Sequence, residues 1–211
     1  MEKKITISAA KLTALIFGIL AGLGGLTHGV GEVLQGNVKP DGIWINSWTQ
    51  GPIATNMGGE PGITIVPNVL VTGILTIFVS LAIIAWAIFG RNKNYGRVLI
   101  FLSVALLLVG GGVGPPIIGI LAGVAGTGVD RPLTWWRKHL SLNVRRLFAT
   151  LWPWIFGIAV INGVLLVIGS LILVYFFDLN NPDLFLNSFF FSLFSLLLTI
   201  FIGRAYDVQM S

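Results

Sequence analysis

Apolar residues along this chain fall into five long blocks, 12–34, 65–89, 98–129, 151–177 and 184–202, separated by polar connectors. None of the blocks contains Lys, Arg or Asp. A helix needs roughly 20 apolar residues to cross the hydrocarbon core of a bilayer. Four blocks have that length. The third, 98–129, is longer than one ordinary crossing and too short for two.

The centre of that block reads GGGVGPP, residues 110–116. Gly and Pro interrupt helices. They leave arms of about 12 and 13 residues. As helices, arms of that length reach only about 20 Å, short of a hydrocarbon core about 30 Å thick. A re-entrant hairpin of two short helices is therefore expected. One long, tilted and kinked helix is the other reading.

Charge separates the two. Suppose each block crosses once. Six Lys and Arg then lie on the side of the N-terminus and seven on the other. If 98–129 returns to the side it entered, the division becomes twelve against one, with Lys39 alone opposite. Basic residues collect on the cytoplasmic side of membrane proteins. The hairpin topology follows, with both termini cytoplasmic and the 35–64 connector external. The location expected is the plasma (inner) membrane. The first block is expected to remain as a span, because no A-x-A-like cleavage site accompanies it.

Composition agrees. Hydrophobic residues make up 55% of the 211 and charged residues only 10%, against roughly 25% charged in soluble domains. One all-α membrane domain, residues 1–211, with about four full spans is predicted. The net charge of +5 does not indicate nucleic acid, because the basic residues flank apolar blocks. The absence of Cys excludes disulfides and thiolate chemistry.

Residues 131–149 have an apolar stripe of Leu133, Trp136, Leu140, Val144 and Leu147 at helical spacing. With Asp130 as a cap and Pro132 in the first turn, they predict an amphipathic helix lying in the cytoplasmic interface. Arg131, Arg137, Lys138, Arg145 and Arg146 would contact anionic lipid there. Trp135, Trp136, Trp152 and Trp154 would form an aromatic belt.

The motif GILAG occurs at 18–22 and again at 119–123. Both copies are small-xxx-small patterns that allow close helix packing. The external connector carries turn-formers, yet also Ile43, Trp44, Ile45, Trp48 and Ile53. Flexible linkers are poor in such side chains, so it is expected to be an ordered cap.

Candidate chemistry is sparse. His28 and Glu32 are four apart, on one helix face near the outer end of the first span. Ionisable groups inside a span are often functional, and a proton-responsive pair or cation site at an outer mouth is one reading. A structural hydrogen-bonded pair is the other. Thr72, Thr76 and Ser80 share a face, as do Ser188, Ser192, Ser195 and Thr199. HExxH, G-x-S-x-G, P-loop and Rossmann patterns are absent. No catalytic residue, cofactor or metal is expected.

The leading expectation is a small channel or facilitator for an ion or small solute. Gly110, Gly111, Gly112, Gly114, Pro115 and Pro116 would form its constriction, with Asn162, Ser192 and Ser195 lining the path. The second is a non-transporting membrane scaffold or subunit that packs with partner helices and binds anionic lipid. A membrane enzyme is the remaining class. A homo-oligomer or a partner membrane subunit is expected in either of the first two cases.

Overall fold

The structure, a computed structural model, describes residues 8–210. It is an all-α integral membrane protein with one small two-stranded ribbon. Helix α1 covers Ala9–Gln35, followed by β1 (Trp44–Asn46), α2 (Gly51–Met57) and β2 (Pro61–Ile63). Next come α3 (Val69–Phe89), α4 (Tyr95–Leu108), α5 (Gly114–Gly126) and the short α6 (Thr134–His139). Helix α7 (Leu142–Val164) runs through a π-helical turn, Leu165–Gly169, into α8 (Ser170–Phe177), and α9 is Pro182–Met210. Four helices are long and apolar enough to cross a membrane: α1, α3, the continuous α7–α8, and α9.

Helix α1 is the axis. The most apolar 18 residues of α1 are 61% buried, against 22–33% for the other three spans, which leaves those facing lipid. Its burial comes from glycine. A Cβ at Gly18 would lie 2.9 Å from Ala87 Cβ, and one at Gly29 would lie 3.0 Å from Gly73 O. Helix α3 therefore packs antiparallel along α1 at backbone distance, as small-residue stripes permit. The second GILAG copy does the same for α5, where Gly119 meets Ser103 and Gly123 meets Ile100 and Gly96 of α4. Both copies serve packing.

Those contacts settle the path of the third apolar block. Residue 96 faces 123 and 126, and residue 103 faces 119. So α4 and α5 run antiparallel, with a non-helical tip at 109–113. The chain folds back on itself rather than continuing as one helix.

One end of the bundle gathers complementary charges. Asp207 of α9 accepts from Ala9 N (2.6 Å) and Ala10 N (3.0 Å), at the start of α1. Lys11 Nζ donates to Gly90 O at the end of α3 (2.8 Å) and sits 3.4 Å over the Tyr95 ring. Arg204 Nη2 donates to Val124 O in the last turn of α5 (2.8 Å). Each sign opposes the helix dipole it meets. The starts of α1, α4 and α7 and the ends of α3, α5 and α9 share this end. Among the described residues, ten Lys and Arg belong to it and only Lys39 to the opposite one. Lys3 and Lys4 lie outside the described residues.

The expected interfacial helix over 131–149 needs correction. Asp130 and Leu133 adopt left-handed backbone (φ 56° and 44°), so Asp130 caps nothing. Ser141 then starts a new helix, its Oγ accepting from Val144 N at 3.4 Å. The stripe is split. Trp136 of α6 stacks edge-on against Phe201 at 4.7 Å, while residues 142–149 are the first two turns of the spanning α7. The belt divides likewise: Trp152 stacks 5.0 Å from Phe156 and is buried, whereas Trp154 is exposed.

The Gly123 contact gives a direct test. Gly123→Val would drive side-chain atoms into Gly96 O, 2.8 Å from the Cβ position, and overpacking of this kind costs about 1–3 kcal/mol. A lower thermal midpoint in detergent is expected. Gly157→Ala in α7, with nothing within 4 Å of its Cβ, should leave the midpoint unchanged or raise it.

Candidate functional site

The glycine tip and the His28/Glu32 pair, 78 or more residues apart in sequence, meet in one buried polar cluster at the end opposite the basic residues. Helix α1 presents both side chains on one face, as four-residue spacing requires. Glu32 is fully buried and His28 is 6% exposed. A Cβ on Gly110 would lie 2.7 Å from Glu32 Oε1, and Gly112 lies directly against the His28 ring. Both glycines have positive φ, 102° and 76°. Only glycine supplies that backbone together with such close approach.

The connector after α1 completes the cluster. Gln35 Nε2 donates to Asn46 O (3.0 Å) and Ser47 O (2.8 Å), tying the helix end to the ribbon. Ribbon pairing continues past the strands through Ser47 N to Glu60 O, 3.1 Å. This sets Ser47 and Glu60 opposite one another, above His28. Ser47 Oγ donates to Glu32 Oε1 (2.9 Å) and lies 2.8 Å from His28 Nδ1. Glu60 Oε2 is 3.5 Å from His28 Nε2.

Helix α3 closes the other side. Thr76 Oγ1 donates to Val109 O at 2.5 Å and lies 3.2 Å from Glu32 Oε2. Thr72 Oγ1 is 3.0 Å from Thr64 Oγ1, and Thr64 bridges to Val109 in antiparallel register. Ile65 N donates to Leu108 O (3.0 Å), and Gly111 N donates to Leu106 O (2.9 Å). These backbone groups of the tip are therefore satisfied by protein rather than by water or ligand, as irregular backbone away from water must be.

Hydrogen counting constrains the cluster further. Ser47 has one hydroxyl hydrogen, directed at Glu32 Oε1. His28 Nδ1 must then be the donor to Ser47, which leaves Nε2 facing a carboxylate. That contact is attractive when a proton lies between Nε2 and Glu60. Thr76 also has one hydrogen, and the shorter contact assigns it to Val109 O. The Oε2 contact is then a hydrogen bond when Glu32 is protonated. A continuous chain of exchangeable groups thus runs from His28 through Ser47 and Glu32 to Thr76 and the tip carbonyl.

The other sequence-predicted residues lie elsewhere. Gly114, Pro115 and Pro116 begin α5, where Pro favours the first turn. Pro115 packs on Gly24, and Gly114 faces Phe189. Asn162 Nδ2 donates to Ser188 O (2.9 Å), and Ser195 Oγ donates to Ser192 O (3.1 Å). These bonds hold α7 to α9 or turn back on α9, apart from the cluster. Arg131, Arg137, Lys138 and Arg146 are exposed at the basic end, and Arg145 is half-buried there. Among the described residues, no three His, Cys, Asp or Glu stand together as metal ligands.

Sequence reasoning missed Ser47, Glu60 and Thr64. They sit in a connector without periodicity, so no sequence signal placed them over the first span. Thr72 and Thr76 were legible as a polar face of the second apolar block.

Matched glycines separate packing from backbone strain. Gly112 and Gly58 have nearly equal φ (76° and 77°), but nothing lies within 4 Å of a Cβ on Gly58. Gly58→Ala is expected to cost about 1–2 kcal/mol of left-handed strain. Gly112→Ala should cost at least about 1 kcal/mol more, because its methyl meets the His28 ring; equal melting shifts would refute the contact. No protein-family model, curated protein or solved structure matches this chain, so its function rests on its own geometry.

Proposed function

We propose that this chain is a small channel or facilitator of the plasma membrane for an ion or small solute, with the Gly110–Gly112 tip as its outer gate. The α4–α5 hairpin is re-entrant from the cytoplasmic side, and the structure is the closed state. The observation that carries the reading is a buried ionisable pair inside a span, closed directly on the glycine backbone of a helix break. Ionisable groups are costly within membranes and concentrate on functional paths. Broken helices at depth serve as sites and filters in transport proteins.

The gate works through its hydrogen bonds. Thr76 holds Val109 O, while Ser47 and Thr76 hold the Glu32 carboxyl. Displacing the tip from α3 frees the Val109 carbonyl, Glu32, and the hydroxyls of Thr72 and Thr76 to line an opening. Ser47, which contacts both Glu32 and His28, ties the external connector over that opening. Charge supports the orientation: the basic end is cytoplasmic by the positive-inside rule, and Arg131, Arg137, Lys138, Arg145 and Arg146 face anionic headgroups.

A second reading is a non-transporting subunit or scaffold that packs with partner helices. The packed, protein-satisfied tip favours it. Large exposed apolar side chains on α7–α9, such as Trp154, Phe176 and Phe194, offer the surface.

Two measurements test these readings. On this Cys-free chain, Ser141→Cys is expected to react with impermeant thiol reagents only from the cytoplasmic side and Asn180→Cys only from outside; external labelling of the first overturns the topology. In liposomes, Thr76→Val removes the hydroxyl that holds Val109 O and should raise the flux of a permeant ion or solute about tenfold, the effect of releasing roughly 1.4 kcal/mol of gate closure. Absence of flux in wild type and variant alike, across small ions and neutral solutes, leaves the scaffold.

A further inference from the structure

Three hydroxyl residues on one face of α3, Thr72, Thr76 and Ser80, are fully buried. This face turns toward α1 and the tip. Thr76 Oγ1 donates to Val109 O and lies 3.2 Å from Glu32 Oε2. Gly110 sits between that face and the Glu32 carboxyl. A Cβ on it would touch Thr72 Cγ2 and lie 2.7 Å from Glu32 Oε1 and 2.8 Å from Oε2. The glycine backbone therefore fills a space walled by oxygens. One turn further along α3, Ser80 Oγ lies against Gly25 and has no hydrogen-bond partner among the described residues. A buried hydroxyl without a partner calls for an explanation beyond packing.

Charge counting leaves Glu32 without a partner of opposite sign. Glu60 Oε2 is 3.5 Å from His28 Nε2, so the single imidazole faces that carboxylate directly. Its Nδ1 reaches Glu32 only through the Ser47 hydroxyl. Helix α3, the last turn of α4 and the tip contain no charged or titratable residue. Lys39, at the same end, is exposed. A buried carboxylate without a counter-charge is costly. Two carboxylates against one imidazole leave Glu32 two ways to be neutral. It holds a proton, shared with Thr76 Oγ1, or it holds a cation.

We propose that these oxygens form a monovalent-cation site, with the Glu32 carboxylate and the Val109 carbonyl as its main ligands and the α3 hydroxyls beside them. The site rests on the gate opening described above. When the tip leaves α3, the cation takes the place of Gly110 and the Glu32 proton passes to water. One positive charge enters and one leaves, so the buried site is neutral in both states. Hard cations are bound by oxygen ligands of this kind. A divalent ion would leave one positive charge unmatched, and calcium sites gather more carboxylates than this one. An anion would meet only acceptors. Ser80 is the next oxygen inward along the same face.

The test follows the proton. The full chain is held in detergent near neutral pH, weakly buffered, with a pH indicator, and sodium or potassium chloride is added. Saturating salt is expected to release about one proton per chain, because ligand carboxyls must deprotonate to bind. Choline chloride at equal ionic strength should release almost none. Glu32→Gln keeps a neutral side chain of similar shape and should abolish the release, with an unchanged thermal midpoint as the control for folding. Glu32→Asp restores a carboxylate one methylene further back and should release the proton again, at about tenfold higher cation concentration. Asp41→Asn removes an exposed carboxylate of the same end and should behave as wild type. No release, equal release with choline, release that survives Glu32→Gln, or tighter binding of calcium or magnesium than of either alkali ion would each overturn the site. Liposome flux separates the site from the channel. Proton release without cation flux keeps the site and removes the channel, whereas flux of neutral solutes without proton release keeps the channel and removes the site.

Discussion

The structure depends on one requirement: a stretch of backbone that is not helical, placed among apolar helices, must find all its hydrogen bonds in protein. At the tip, 109–113, and the last turn of α4 that leads into it, three such bonds come from α4, from α3 and from the segment before α3. Leu106 O takes the amide of Gly111, Thr76 binds the carbonyl of Val109, and Ile65 N binds the carbonyl of Leu108. None of these groups could reach the tip without close backbone approach. The glycines at 110 and 112 give that approach on one side, and the glycines of α1 and α3 give it on the other. The buried pair, the polar face of α3 and the ribbon of the 35–64 connector are then consequences of accommodating one helix break.

Charge organises the opposite end by simpler means. There the helix termini are the problem, since each leaves unmatched amides or carbonyls. Asp207, Lys11 and Arg204 satisfy a start, an end and an end respectively. The bundle is thus bounded by a basic end, where side chains match helix dipoles, and a nearly cation-free end, where a buried network fixes the tip. This asymmetry is built into contacts as well as into composition.

Much of this was legible in the sequence for particular reasons. The length of the third apolar block and its GGGVGPP centre predicted two short helices, because helix rise and glycine conformation are local properties. His28 and Glu32 stood out because ionisable residues inside a span are rare. Their meeting with Gly112 and Gly110 was not legible, since it depends on how far α4 rises along α1. The 131–149 helix failed for a local reason that periodicity hides. Apolar spacing persists across Leu140 and Ser141, but the serine begins a helix rather than continuing one. Asn162, Ser192 and Ser195 looked like a polar path. Asn162 donates to Ser188 O and Ser195 to Ser192 O, while the Ser192 hydroxyl is buried without a partner among the described residues.

Every group of the buried network lies between residues 28 and 112. The site therefore belongs wholly to the part of the chain synthesised before α7 and α9. Chains fold from the N-terminus as they emerge, so α1, α3 and the tip can assemble while the last spans are still to be made. Arg204, which seals the end of α5, joins only when α9 inserts. The last helix thus seals a structure whose polar interior takes no residue from it.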